Sequence, residues 1–217
     1  MLSLPEQIAE QIGKDILAGR YEPGARIQEV EVANSFNVSR GPVREALRIL
    51  ERDGLIQITA RRGAQVTALT IEEVNAIFDP RIALHGLAAR RMAERRDAAS
   101  LARMRMCVER LGEAAAADDH TAYVEASYRT TRAMCVGSGN PFLMRLVFLL
   151  SNQTLRYAAL GLSTTKRRQQ SLKGWRRMLR AMDRGDAEEA QAVAEQLGRE
   201  SRETAVRLLK DAQAERA

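Results

Sequence analysis

The segment that decides the fold is Val-Ser-Arg-Gly-Pro-Val-Arg-Glu-Ala-Leu-Arg-Ile-Leu, from Val38 to Leu50. Its arginines recur every fourth residue, which places them on one face of a helix, and its apolar residues occupy the opposite face. The arginines are Arg40, Arg44 and Arg48, and the apolar residues are Val43, Ala46, Leu47 and Leu50. Ser39 is placed to cap this helix by accepting a backbone N–H, and Pro42 is tolerated in its first turn. The segment therefore predicts an amphipathic helix with one apolar and one cationic face.

The residues on either side of this segment predict a winged helix-turn-helix. Upstream, an apolar residue at every fourth position between Leu4 and Gly19 indicates a first helix, and residues 28–36 form a short second one. Downstream, two short β runs at residues 55–59 and 64–67 flank a hairpin tip that carries Arg61 and Arg62. Two helices joined by a short turn and followed by a β-hairpin make up this domain, which we assign to residues 1–69.

The rest of the chain reads as an all-helical domain. The β signal disappears after Thr70, and six helical segments with short loops predict an antiparallel bundle over residues 70–217. We expect these helices near residues 70–95, 97–117, 120–137, 141–161, 165–184 and 186–212. The predicted fold class is therefore mainly α, an N-terminal winged helix-turn-helix with a small β-hairpin wing followed by a bundle of about six helices.

Net charge alone does not indicate nucleic-acid binding. The chain carries a formal charge of +6, but residues 1–70 hold nine Lys/Arg and nine Asp/Glu, so the excess lies in the bundle. The position of the charges is the better guide, because guanidinium groups on one exposed helix face can reach phosphates and guanine edges. The predicted DNA contacts are Ser39, Arg40, Gly41, Arg44, Arg48, Arg61, Arg62 and Gly63. The alternative is that the arginines form only a solvated helix face.

Other classes of protein are disfavoured by what the sequence lacks. No apolar run is long enough to span a bilayer, and the N-terminus lacks the pattern of a signal peptide, so we expect a cytoplasmic protein without a membrane partner. Cys107 and Cys135 match no metal or redox spacing. A nucleophile elbow, a phosphate loop and a Cys/His pair at motif spacing are also missing, so we expect no enzyme.

The N-terminal motifs resemble those of the GntR family of transcription regulators. The matching blocks are Gly19-Arg-Tyr-Glu-Pro-Gly-Ala-Arg-Ile27, Glu29-Val-Glu-Val-Ala33, Val38 to Leu47, Asp53-Gly-Leu-Ile56 and Arg62-Gly-Ala-Gln-Val66. The helical part resembles the FadR-like branch with its FCD domain, through Arg81, the Ser138-Gly-Asn-Pro141 segment and Gly185-Asp186. A helical domain of six helices, rather than seven, resembles that of the VanR-type subgroup. The resemblance implies that Ser39, Arg40, Arg44 and Gly63 touch DNA.

The resemblance also defines where an FCD domain would hold a metal or an effector. Many FCD domains bind a divalent metal through one Asp and three His, but the corresponding positions here are Ser127, Thr131, Trp175 and Leu197. Because these residues are poor metal ligands, we expect no metal and no cofactor. The implied effector pocket is formed by Arg81, His85, Ser127, Thr131 and Trp175. The alternative is that Arg81 pairs with a neighbouring carboxylate and that His85 is a hydrogen-bonded interhelix residue.

Together these features predict a metabolite-responsive transcription repressor. We expect it to bind a palindromic operator in double-stranded DNA as a homodimer and to respond to a small organic effector, for which Arg81 would favour a carboxylate. The alternative is a DNA-binding dimer whose helical domain has lost ligand sensing.

Overall fold

The computed structural model describes residues 2–17, 19–59 and 63–214. The chain divides into two compact units, residues 1–70 and 71–217. None of the described helices is both long enough and apolar enough to cross a membrane. The mainly α fold with a small N-terminal sheet is as predicted.

The described part of the first unit contains three helices and a small sheet. Its elements in chain order are α1 (Leu4–Leu17), β1 (Arg26–Ile27), α2 (Glu29–Ser35), α3 (Arg40–Arg52), β2 (Ile56–Thr59) and β3 (Gly63–Val66). The sheet is antiparallel in the order β1-β3-β2, with Gln57 opposite Gln65 and Arg26 on the other side of Gln65. The sequence did not predict β1, because two residues are too short to show a period-two pattern.

The core of the first unit follows from the apolar faces of its helices. The every-fourth-residue stripe of α1 meets the apolar face of α3, and the sheet contributes one buried face. The most buried side chains are Ile8, Ile12, Ile16, Val43, Ala46, Leu47, Leu50, Ile56 and Val66. Because the apolar face of α3 is fixed in this core, its arginine face is turned to solvent.

The second unit contains six helices in its described part. They are α4 (Ile71–Arg95), α5 (Ala98–Ala116), α6 (His120–Gly137), α7 (Pro141–Leu160), α8 (Thr165–Arg184) and α9 (Ala187–Ala214). One apolar core runs through the bundle and includes Met92, Met104, Leu111, Met134, Trp175 and Met178.

The helix starts of the bundle are fixed by side-chain caps. The caps of α5, α6 and α7 are Asp97, Asp119 and Asn140, whose side chains accept backbone N–H groups of the first turn. Thr164 caps α8 in the same way, and the amide of Glu189 donates to Asp186 Oδ1 over 3.0 Å at the start of α9. Such caps satisfy N–H groups that have no partner within the helix. These caps explain why short polar sequences separate the helices of the bundle.

Candidate functional site

The turn between α2 and α3 leaves one face of α3 exposed to solvent. Residues 36–39 join the two helices, and Asn37 takes the left-handed conformation with φ 53°, which Asn tolerates better than most residues. Val38 donates its amide to the carbonyl of Ala33 over 3.0 Å, closing the turn. This compact connection is the helix-turn-helix predicted from the sequence.

The arginine face of α3 is exposed. Arg44 and Arg48 have side-chain exposures of 59% and 70%, and Arg40 lies in the exposed first turn. The Nε of Arg44 donates to Glu29 Oε2 over 2.9 Å, and Arg48 Nη1 donates to Glu45 Oε1 over 2.9 Å. Such surface ion pairs contribute only about 0–1 kcal/mol. The guanidinium groups can therefore exchange these carboxylates for the phosphates or base edges of a nucleic acid.

Ser39 differs from the prediction in one respect. It occupies the N-cap position of α3 with an extended backbone, φ −71° and ψ 167°, but its hydroxyl accepts no capping hydrogen bond. A Cβ added to the next glycine, Gly41, would lie 4.0 Å from Ser39 Oγ and meet nothing closer. An exposed hydroxyl and the first N–H groups of a helix, with no bulky side chain over them, form a suitable surface for a phosphate.

A hydrogen bond joins the wing, which is the β2–β3 hairpin, to α3. The amide of Ile58 in β2 donates to Glu51 Oε1 of α3 over 3.0 Å. Gly63 begins β3 with φ 76°, a conformation that a residue with a Cβ rarely adopts. The predicted contacts Arg61 and Arg62 lie outside the described residues, so their role remains a prediction.

In the bundle, a small, partly open cavity lies between α4, α6 and α7. Its volume is about 40 Å³, and it is lined by Arg81, Val124, Ser127, Tyr128, Thr131, Ser151, Leu155, Ala158, Ala159 and Leu162. Three of the five predicted effector residues, Arg81, Ser127 and Thr131, therefore meet at one place. The cavity has room for a water molecule but is far below the roughly 300 Å³ of an ordinary ligand site.

Arg81 is a cation without a carboxylate partner among the described residues. Its Nε lies 3.5 Å from Ser151 Oγ, and its guanidinium lies over the ring of Phe78, 4.9 Å from the centroid. Burial lowers the pKa of Arg81 to about 10. A half-buried guanidinium in this setting favours an anion as its missing partner.

His85 and Trp175 do not border the cavity, contrary to the prediction that all five residues share it. His85 lies one turn after Arg81, is 8% exposed, and its Nε2 has no hydrogen-bond partner. Burial and, secondarily, the charge of Arg81 hold the pKa of His85 well below its ordinary value, so the ring is neutral. Trp175 is 6% exposed and packs in the apolar core, because its large ring gains more from burial there than at a polar cavity.

At the positions where the resemblance to FCD domains implies metal ligands, the residues of this chain are not suited to bind a metal ion. Ser127 and Thr131 offer only hydroxyl groups, Trp175 offers an indole in the apolar core, and Leu197 has no donor atom. Leu197 instead packs so closely on α8 that a Cβ on Gly174 would come within 2.5 Å of it. Among the described residues, no group of three or more His, Cys, Asp or Glu could hold a metal ion.

Ser151 is a cavity residue that the sequence did not reveal. It is 4% exposed and lies 70 positions from Arg81, to which it comes close only through the fold. The only available signal was a polar residue directly after the apolar run that ends at Leu150.

A larger groove of about 350 Å³ lies between α5 and α6 but is a weaker candidate. Its lining combines small apolar residues with charges of both signs. One of those cations, Arg129, already pairs with Glu125 over 2.6 Å. The Arg81 cavity contains a cation that has no carboxylate partner among the described residues, so it is the better candidate for an anionic ligand.

Comparisons with known proteins agree with this geometry. Residues 4–66 match the family described as bacterial regulatory proteins, gntR family, and residues 76–199 match the FCD domain. The chain is 43% identical over 91 residues to the uncharacterized HTH-type transcriptional regulator YdhC of Bacillus subtilis (strain 168), which covers 42% of this chain and 41% of that protein. It is 40% identical over 88 residues to the HTH-type transcriptional repressor RspR of Escherichia coli (strain K12), covering 41% of this chain and 39% of the repressor. The chain thus spans about two fifths of the length of these relatives.

Solved structures share the fold across nearly the whole chain. Escherichia coli McbR/YncC superposes with a TM-score of 0.78 at 20% identity, covering 92% of this chain and 95% of that one. A transcriptional regulator of the GntR family from Pseudomonas syringae pv. tomato str. DC3000 gives a TM-score of 0.56 at 25% identity, covering 99% and 89%.

Proposed function

We propose that this chain, which belongs to the GntR family of bacterial regulatory proteins and carries an FCD domain, is a DNA-binding transcription regulator. In this proposal it is a metabolite-responsive repressor that binds a palindromic operator as a homodimer. This family membership also argues against an enzyme. The observation that carries the DNA-binding assignment is the exposed arginine face of α3, which begins at a serine whose hydroxyl makes no cap bond. We expect the protein to act in the cytoplasm, where bacterial DNA lies.

The start of α3 enters the major groove in this proposal. Ser39 and the N–H groups of Arg40 and Gly41 contact a phosphate, Arg44 reads a base edge, and Arg48 follows the backbone farther along the helix. Arg61, Arg62 and Gly63 at the wing contact the neighbouring backbone or minor groove. Two copies related by a two-fold axis then match the two halves of a palindrome.

The effector in this proposal is an organic anion, with a carboxylate as the expected group. Arg81 supplies a guanidinium with no carboxylate partner among the described residues, and Ser127, Thr131 and Ser151 supply hydroxyl groups around the same cavity. A charged hydrogen bond to a carboxylate is about twice as strong as a neutral one. Because the cavity holds only about 40 Å³, an effector must enlarge it, and ligand entry thereby favours a different conformation of the bundle.

The experiment combines DNA binding with a ligand screen. Fluorescence anisotropy on the DNA upstream of the chain's own coding sequence, against a scrambled duplex, tests the regulator. A thermal-shift screen of small carboxylates, phosphates and neutral metabolites tests the effector, and each hit is then added to the DNA titration. A carboxylate that raises Tm and changes the operator Kd supports the proposal. Equal affinity for the two duplexes would contradict it.

The small cavity volume favours one alternative. In that alternative the bundle only dimerises and senses nothing, since the described residues form no cluster of metal ligands and the cavity beside Arg81 holds only about 40 Å³. A screen in which no compound shifts Tm or the operator Kd would favour this alternative while leaving the DNA-binding role intact.

A further inference from the structure

The outer side of α8 carries only cations and uncharged polar groups. Thr165–Arg184 contains eight of the 34 Lys and Arg residues of the chain and one acidic residue, Asp183. Its exposed residues recur at helical spacing and therefore share one side of the helix. The exposed cations are Lys166, Lys173, Arg176, Arg177, Arg180 and Arg184. These six residues form the cationic face of α8.

The inner side of α8 holds this face in place. Leu172, Trp175, Met178 and Met182 are buried in the apolar core of the bundle. Their positions span most of the helix, so α8 is fixed along its length. The cations therefore project from a rigid surface, which is how an extended anion would meet them.

Most charges of the face are not neutralised by neighbouring carboxylates. Among its six cations, only Arg177 and Arg184 have an ion-pair partner in the described part of the chain. The acidic residue of the helix, Asp183, pairs instead with Arg105 of α5 over 2.6 Å. The four cations without a carboxylate partner among the described residues are Lys166, Lys173, Arg176 and Arg180.

The net charge of the chain lies in the second unit. Residues 1–70 hold nine basic and nine acidic residues, whereas residues 71–217 hold 25 and 19 and so carry the whole excess of +6. Attraction of a protein to DNA comes largely from cations that replace the counterions of phosphates. The first unit presents arginines on α3 but has no net charge to attract a polyanion from a distance. The cationic face of α8 can supply that attraction.

We propose that the cationic face of α8 is a second DNA-binding surface, which contacts the phosphate backbone of a duplex without reading its sequence. At 1.5 Å per residue, the distance from Lys166 to Arg184 is about 27 Å, so the face suits an extended polyanion better than a single phosphate or carboxylate. It exposes no large apolar side chain that could insert into a membrane. DNA is the polyanion that the regulator role brings to this chain, and the inference rests on that role.

The proposal divides DNA binding between two surfaces. Contacts from α3 reach base edges and decide which sequence is preferred, whereas contacts from α8 reach phosphates and carry no sequence information. Affinity for any duplex, and its dependence on salt, should therefore depend on α8. The preference for the operator should not.

Salt titrations of charge-neutralised variants test this division. The variant Lys173→Gln/Arg176→Gln/Arg180→Gln removes three cations of the face and introduces a good helix former at each position. Its matched control removes the same charge from exposed arginines on α4, α6 and α9, as Arg91→Gln/Arg132→Gln/Arg207→Gln. Fluorescence anisotropy on a scrambled duplex at several salt concentrations gives the Kd and its salt slope. Circular dichroism melting checks that both variants are folded.

The two triple variants should differ clearly. We expect the α8 variant to lose at least about tenfold in affinity for the scrambled duplex at low salt, and its salt slope to fall by about two to three, because each phosphate contact contributes about 0.9. The control should stay within about threefold and keep its slope. Equal losses in the two variants, or an unchanged slope in the α8 variant, would overturn the proposal.

Lysine acetylation of the unmodified chain is an independent test. The chain has four lysines, of which Lys166 and Lys173 lie on the cationic face and Lys210 is an exposed residue of α9. A scrambled duplex should slow the acetylation of Lys166 and Lys173, measured by peptide mass spectrometry, and should leave Lys210 unchanged. Equal protection of Lys210 and Lys173, or no protection on the face, would contradict the proposal. Protection of the face by phosphatidylserine vesicles but not by DNA would assign it to a membrane surface instead.

The operator separates this inference from the proposed function. The α8 variant should bind the operator and the scrambled duplex more weakly by a similar factor, so the ratio of the two affinities should be preserved. An unmodified chain with equal affinity for the two duplexes would count against the proposed function. The comparison of the two triple variants on scrambled DNA would still decide the role of α8.

Discussion

The Nε of Arg44 donates a hydrogen bond to Oε2 of Glu29 over 2.9 Å, so the central arginine of α3 is held by the first residue of α2. The two side chains are 59% and 37% exposed. The carboxylate both orients the guanidinium and adds a negative charge beside the surface that approaches DNA. These two effects oppose each other in binding.

The substitution Glu29→Gln separates the orienting effect of the Glu29 carboxylate from the effect of its negative charge. Removing the carboxylate charge should lower the Kd for a scrambled duplex by about two- to fivefold, since an exposed pair is worth up to about 1 kcal/mol. The ratio of specific to non-specific affinity should fall, because Arg44 loses its fixed orientation. Anisotropy titrations on both duplexes at several salt concentrations measure this. A Kd for scrambled DNA that stays the same or rises would show that Glu29 does not compete with phosphates.

Replacing Arg81 with methionine tests the role of the cation beside the cavity. The substitution removes a half-buried charge that has no carboxylate partner among the described residues and keeps an unbranched side chain. The free energy of unfolding should rise by about 1–2 kcal/mol in urea titrations. Any Tm increase caused by an anionic effector should disappear at the same time. Arg81→Lys is the control that retains the charge, and a marked loss of stability in Arg81→Met would show that Arg81 is instead required for folding.

The stability of the second unit should depend on pH through His85. Because burial holds the folded-state pKa of His85 below its unfolded value of about 6.5, the unfolded chain binds the extra proton first. Stability is therefore complete above pH 6.5 and falls as the pH drops below it, by up to about 1.4 kcal/mol per pH unit. Urea titrations between pH 7.5 and 5 measure the slope. His85→Leu should flatten it, and an identical slope in this variant would assign the effect to other groups.

Arg168 should be a structural residue at one end of the bundle. It is 4% exposed, its Nη1 donates to the carbonyls of Leu162 and Ser163 over 3.0 and 2.9 Å, and its Nη2 pairs with Asp118. Arg168→Leu leaves these acceptors without their donor and should cost about 3 kcal/mol of unfolding free energy. Arg177→Leu on the same helix removes an exposed pair with Glu189 and should cost less than about 1 kcal/mol. Equal losses in the two variants would refute this role.

Local sequence patterns were sufficient for the helices and for the arginine face. Val43, Leu47 and Leu50 fixed the inner side of α3, so the outward direction of Arg40 and Arg44 followed from helical geometry alone. The hydroxyl of Ser39 could not be assigned in the same way, since a cap bond depends on a side-chain rotamer. The sequence predicted the position of the residue but not its contact.

The cavity was only partly predictable because it depends on contacts between distant segments. Ser127 and Thr131 lie one turn apart on α6, so the prediction that one of them lines the cavity implied the same for the other. Ser151 joined them through the packing of α7, and no periodic pattern pairs it with Arg81. Trp175 packs in the core instead, because the choice between a cavity wall and the core is made by the neighbouring helices.

The central claim is that the exposed face of α3 reads DNA, and the most direct measurement is the operator Kd of Arg40→Ala, Arg44→Ala and Arg52→Ala by anisotropy. Arg52 lies at the far end of the same helix, 76% exposed, and is the matched control. Arg44→Ala should cost about 1–3 kcal/mol of specific binding, Arg40→Ala should weaken all duplexes and reduce the salt slope by about one, and Arg52→Ala should leave the Kd within about twofold. Unchanged affinity in both Arg40→Ala and Arg44→Ala would contradict the account.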